Sequence, residues 1–137
     1  IYKDINNLRF FGYISHREIP KFLRSSDILL MPYEKVINEP GEINTAEYCS
    51  PMKLFEYLAS GKPFVASNLP SLLEVLENEK NCLLAEPGVY EDWADKVGLL
   101  LKDKKLRSNL SHGAFQTALS HTWDARVTKI FNFAYGR

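Results

Sequence analysis

Two short apolar runs with a helical pattern between them constrain this chain more than any other feature. Ile28-Leu29-Leu30-Met31 is continuously apolar, framed by Asp27 and Pro32. Such a run suits a strand buried on both faces, as in parallel sheets. Pro63 to Ser67 reads as a second strand and Cys82 to Ala85 as a third. A helical pattern from Pro51 to Ser60, with Gly61 as its C-terminal cap, joins the first two strands. Pro70 to Leu76 reads as a short helix before the third. Strands alternating with helices predict an α/β fold, a parallel sheet with helices on both faces.

The flanks extend the pattern. Leu8 to Ile14 reads as a strand interrupted by Gly12, and Ser15-His16-Arg17-Glu18 as a capping box. Ile19, Phe22 and Leu23 then fall at the spacing of one buried helix face. From Glu91 onward three apolar helix faces follow: Trp93, Val97, Leu100 and Leu101; Leu106, Leu110, Ala114 and Ala118; and Trp123, Val127, Ile130, Phe131 and Ala134. Trp93 and Trp123 read as core, and Lys102-Asp103-Lys104-Lys105 as a turn between helices. The last helices are expected to pack on the sheet or to run toward a partner domain. Tyr33 to Cys49 has no period and holds Pro40-Gly41 with Glu34, Glu39, Glu42 and Glu47. A stretch this long without structure of its own is usually functional or disordered.

Composition removes several classes of function. The 137 residues fit one domain with a real core. The formal net charge is zero, without the basic excess of a nucleic-acid binder. No apolar run is long enough to span a bilayer. Cys49 and Cys82 are too few for a disulfide framework, so a reducing, cytoplasmic setting is expected. Cys49 reads as a small buried residue ahead of a reactive thiol. His16, His112 and His121 lie far apart, without metal-ligand spacing, and read as solvated helical residues. There is no G-x-S-x-G, P-loop or G-x-G-x-x-G pattern. The chain opens Ile1-Tyr2-Lys3, with neither an initiating Met nor a secretory signal pattern, and is expected to be a piece of a longer polypeptide.

The helix from Pro51 carries the functional argument. Ser50 suits the N-cap and Pro51 the first helical position. The amides of Met52, Lys53 and Leu54 then lack intrahelical acceptors and point outward at the positive end of the helix dipole, a ready phosphate site. Lys53, Glu56 and Ser60 form one polar stripe on a helix otherwise apolar or aromatic. At about 1.5 Å per residue, Glu56 lies about 7 Å along the axis from the helix start. Ribose hydroxyls lie at a similar distance from the distal phosphate of a nucleoside diphosphate, so Glu56 can accept from them. The competing reading makes Lys53 and Glu56 an ordinary solvated face.

The stretch Ser50-Pro51-Met52-Lys53-Leu54-Phe55-Glu56-Tyr57-Leu58-Ala59-Ser60-Gly61-Lys62-Pro63-Phe64-Val65-Ala66-Ser67 closely resembles the signature of group 1 glycosyltransferases, retaining enzymes of GT-B fold. Phe11-Gly12-Tyr13, Ser26-Asp27-Ile28, Leu69-Pro70-Ser71 with Glu74-Val75-Leu76, Leu83-Leu84 before Pro87-Gly88, and Thr122-Trp123 with Arg126 resemble its flanking segments in order. The resemblance implies the later part of a Rossmann-like, three-layer donor-binding domain with a helical C-terminus, lacking the N-terminal acceptor domain. It implies a nucleotide sugar, with a UDP or GDP carrier, as substrate, an acceptor of unknown kind, and no cofactor or metal. Glu56 matches the family's ribose-binding glutamate, and Ser50, Pro51, Met52, Lys53 and Leu54 its diphosphate turn. By the same analogy Tyr13 and Ile14 lie near the base. The family's first glutamate, which contacts the donor sugar, falls at Tyr48, so Glu47 is the candidate for that role. The family's Arg and Lys pair belongs upstream of Phe11-Gly12 and is absent, so no catalytic residue is assigned and the piece alone is expected to be inactive. A non-catalytic nucleotide-sugar module is the alternative. The full-length protein is expected in the cytoplasm, with peripheral membrane contact possible for it.

Overall fold

A computed structural model describes residues 5–35 and 51–136. Three strands, β1 (Leu29–Met31), β2 (Phe64–Ser67) and β3 (Leu83–Ala85), form a parallel sheet in the order β1-β2-β3. Leu30 is level with Val65, and Ala66 with Leu84. Among the described residues six helices surround it: α1 (Ile19–Ser25), α2 (Met52–Ser60), α3 (Pro70–Leu73), α4 (Tyr90–Lys102), α5 (Lys104–Ser120) and α6 (Trp123–Tyr135). The α/β expectation holds, with helices on both faces.

Alternation along the strands sorts their side chains into two cores. Leu29, Met31, Phe64 and Ala66 pack with Leu54 and Leu58 of α2, Leu72 of α3 and Ala114 of α5. Val65, Leu83 and Ala85 face the other way, against Leu100 of α4 and Leu110 of α5. Central β2 is buried on both faces, as a continuous apolar run requires. β1 is not, because it is an edge strand among the described residues. Leu30 shares the face of Val65 but extends past the cover of α4 and is 45% exposed.

The flanks bring further corrections. Leu8 to Ile14 forms no strand; Gly12 at φ 65° breaks the extended run, and Phe11 packs edge-on against Phe22 at 5.1 Å. The Ser15 capping box does not form. The Glu18 amide donates to the Ser15 carbonyl, while the Glu18 carboxylate accepts from Lys21, so α1 starts at Ile19 behind a turn. Asp103 closes α4 and caps α5, accepting from the Leu106 amide at 2.9 Å, which makes 102–105 the expected inter-helix turn. Leu101 is 65% exposed although Leu100 beside it is fully buried. The α6 face is not core: Trp123 is 78% exposed, and α6 has no buried residue. Trp93 is half-buried and donates from its indole to the Glu86 carbonyl. No described helix is long and apolar enough to cross a membrane.

Candidate functional site

The chain leaves β1 at its carboxyl end, returns through α2 and enters β2, so the N-terminus of α2 lies at the carboxyl edge of the sheet. Ligands of open parallel sheets bind at that edge. Two contacts hold the edge together. The Ser67 hydroxyl accepts from the Tyr33 amide and donates to the Tyr33 carbonyl, both at 2.7 Å, which ties the exit of β1 to the end of β2. Lys35 pairs with Glu86, spanning the exits of β1 and β3.

α2 is seated firmly. Leu54 and Leu58 are completely buried on its inner face, and Phe55 meets the His121 ring at 5.8 Å. The Tyr57 hydroxyl donates to the Leu30 carbonyl at 3.1 Å, and its ring stands edge-on to Phe64. Burial, with smaller repulsion from Tyr33 and Glu56, raises the Tyr57 phenol above its usual range. Gly61, in the left-handed conformation at φ 63°, ends the helix with its amide on the Leu58 carbonyl.

The start of α2 differs from expectation. Pro51, not Ser50, is the N-cap, with extended backbone, and Met52 is the first helical residue. Ser50, Glu47, Tyr48 and Cys49 lie outside the described residues. The Leu54 amide is not open, since it donates to the Pro51 carbonyl at 3.0 Å. That closes one donor of the expected set and leaves the Met52 and Lys53 amides, which take no acceptor among the described residues.

Beside α2 lies an open cleft of about 230 Å³, bounded on its other side by α1. Ile19, Pro20, Leu23 and Ala59 make its apolar part, and His16, Arg24, Glu56 and Ser60 its polar part. Glu56 and Ser60 of the polar stripe therefore face one cavity. Lys53 does not; it is exposed and outside the lining. Tyr13, 94% exposed, and half-buried Ile14 are not part of the lining either. The residue that sequence reasoning missed is His16. Its Nε2 lies 3.2 Å from Glu56 Oε1, with side chains 80% and 28% exposed respectively. The site thus combines a carboxylate on a rigid helix, open amides one turn before it, and an apolar wall.

The family described as Glycosyl transferases group 1 matches residues 2–117. An N-acetylgalactosaminyltransferase of Campylobacter jejuni, acting on N,N'-diacetylbacillosaminyl-diphospho-undecaprenol, is 31% identical over 76% of this chain and 24% of its own length. A putative teichuronic acid biosynthesis glycosyltransferase of Bacillus subtilis, TuaH, is 40% identical over 62% of this chain and 17% of its own. The chain thus spans about a quarter or less of these relatives. Anabaena HepE, crystallised with UDP-glucose, superposes with a TM-score of 0.72 at 20% identity, covering 97% of this chain and 33% of that one. That likeness shows the fold, a GT-B domain.

Proposed function

Because this chain belongs to the group 1 glycosyl transferases, we propose that it supplies the donor-binding part of a hexosyltransferase. In the full-length protein a hexosyl group passes from a UDP- or GDP-sugar to an acceptor, with retention at the anomeric carbon. The observation that carries this reading is Glu56, a carboxylate that opens into the α1–α2 cleft one turn in from the N-terminus of α2.

The donor lies with its diphosphate at Ser50, Pro51, Met52, Lys53 and Leu54. Open amides and the helix dipole stabilise the anion there without a required metal or cofactor. Its ribose hydroxyls donate to Glu56. Glu47 contacts the sugar, and Tyr13 and Ile14 line the approach of the base. HepE structures with UDP and with UDP-glucose lend support to a nucleotide-sugar donor. Positive charge for the departing diphosphate comes from residues outside this chain. An N-terminal Rossmann-like domain brings the acceptor, and the full-length protein works in the cytoplasm, peripheral to a membrane.

Calorimetric titration of the full-length protein with UDP, GDP and their sugars tests this. A carboxylate accepting hydroxyl hydrogen bonds is worth about 1.5–3 kcal/mol, so Glu56→Ala weakens the preferred nucleotide about 10- to 100-fold. Unchanged affinity in that variant refutes the ribose assignment. A second reading, a nucleotide-sugar module without catalysis, rests on Tyr48 at the position of the family's first glutamate. Donor binding without transfer to any acceptor decides for it.

A further inference from the structure

The Glu56 carboxylate has two oxygens, and the structure shows a different situation at each. Oε1 meets His16 Nε2 at 3.2 Å. Oε2 takes no hydrogen bond from any described residue. The two partners come from separate supports. Glu56 projects from α2, whose Leu54 and Leu58 are wholly buried. His16 sits in the turn before α1, closed by the Glu18 amide on the Ser15 carbonyl at 2.9 Å, and Leu23 of α1 packs against the α2 core.

We propose that His16 is a positioning residue for donor binding. Its Nε2–H donates to Oε1, fixes the carboxylate's rotation, and leaves Oε2 directed into the cleft to accept a ribose hydroxyl. The inference rests on the assignment of Glu56 to ribose. A glutamate has three side-chain torsions, and loss of that rotamer freedom on binding opposes affinity. A carboxylate already held at one oxygen loses less when the ligand arrives. His16 and Glu56 line one cavity with Ile19, Pro20 and Leu23. The neutral Nε2–H tautomer suffices for the donation. The geometry does not require His16 to touch the ligand.

The test uses the full-length protein and two probes: UDP or GDP, whichever binds more tightly, and its 2′,3′-dideoxy counterpart. The readout is the ratio of the two affinities, which a general loss of folding does not change. In Glu56→Ala the ratio collapses toward one. His16→Ala lowers affinity for the ribonucleotide about three- to ten-fold, the worth of one modest hydrogen bond, and leaves the dideoxy probe unchanged. His16→Gln, whose side-chain amide can donate from a similar position, restores most of the ratio. If Glu56→Ala abolishes discrimination and His16→Ala leaves it intact, the positioning role is wrong while the ribose reading stands. If His16→Ala tightens ribonucleotide binding, His16 blocks the carboxylate instead, and the proposal is overturned. If Glu56→Ala itself keeps the ratio, the ribose reading fails, and this inference with it.

Discussion

Two glycines inside helices predict opposite responses to the same substitution. At Gly113 of α5, an added Cβ would stand 1.9 Å from the Lys80 carbonyl oxygen and 3.4 Å from the Asn81 Cα. At Gly98 of α4 it would meet nothing within 4 Å. Alanine in a helix is favoured over glycine by about 1 kcal/mol, so Gly98→Ala is expected to stabilise α4 by about 0.5–1 kcal/mol. Gly113→Ala gains the same propensity but forces a backbone carbonyl to retreat by about 1.5 Å, from 1.9 Å to the 3.4 Å of ordinary contact. That displaces Asn81, which is 1% exposed and donates to the Val75 carbonyl and the Thr117 hydroxyl while accepting from the Glu77 amide. Overpacking costs about 1–3 kcal/mol, and each buried hydrogen bond lost adds about 1 kcal/mol or more. The propensity gain offsets part, which leaves a net loss of about 2–4 kcal/mol. Hydrogen exchange in the full-length protein, followed by mass on peptides covering 77–82 and 104–120, reads this locally. The expected change is roughly 30- to 1000-fold faster exchange in Gly113→Ala and slower exchange on the α4 peptide in Gly98→Ala. Equal slowing in both variants would refute the close approach of α5 to this loop.

Two further expectations concern the seat of the site helix and the buried thiol. Leu58→Ala empties a fully buried position on α2 and destabilises the domain by about 2–5 kcal/mol, whereas Leu101→Ala, at an exposed position, stays within about 0.5 kcal/mol; calorimetric unfolding of the two variants separates them. Burial pushes the Cys82 thiol from 9.0 up to about 12, so it stays protonated and unreactive in the native protein. Peptide mapping after thiol alkylation at pH 8 should find it unmodified until denaturant is added. The folded state holds the Cys82 proton more tightly than the unfolded chain. Its contribution to stability is therefore fully present below pH 9.0 and is lost as pH rises toward about 12.

Elements bounded by local chemistry are readable in the sequence. β2 and α2 appear within a residue of their predicted limits, because a strand buried on both faces, a helix and a left-handed glycine each leave a local signature. Expectations that depended on a neighbour fared differently. Leu8 to Ile14 has the apolarity of a strand, but a strand also needs an adjacent edge, and the described sheet pairs it with nothing. Ile28 to Met31 reads the same whether it lies at the centre or at the edge; only the sheet order leaves Leu30 partly exposed. The α6 pattern is amphipathic, yet periodicity states which face is apolar and not whether anything covers it.

The site divides along the same line. Glu56 is legible because its evidence lies within one helix: a start signal, an apolar surround and a distance set by helical rise. His16 is separated from it by 40 residues, and a lone histidine before a helix says nothing about which carboxylate it will meet. One physical signal points there nonetheless. A carboxylate on an otherwise apolar helix needs a polar partner where it is partly buried, and the turn before α1 is where a neighbouring helix brings one to it. Lys53 fails for the complementary reason. A lysine in the first turn stands at the positive end of the helix dipole and gains nothing by turning inward, so it remains in solvent outside the cleft. The stripe that looks continuous in sequence is therefore divided in space: an exposed lysine at the helix start, and one turn later a partly buried carboxylate that meets His16 beside α1.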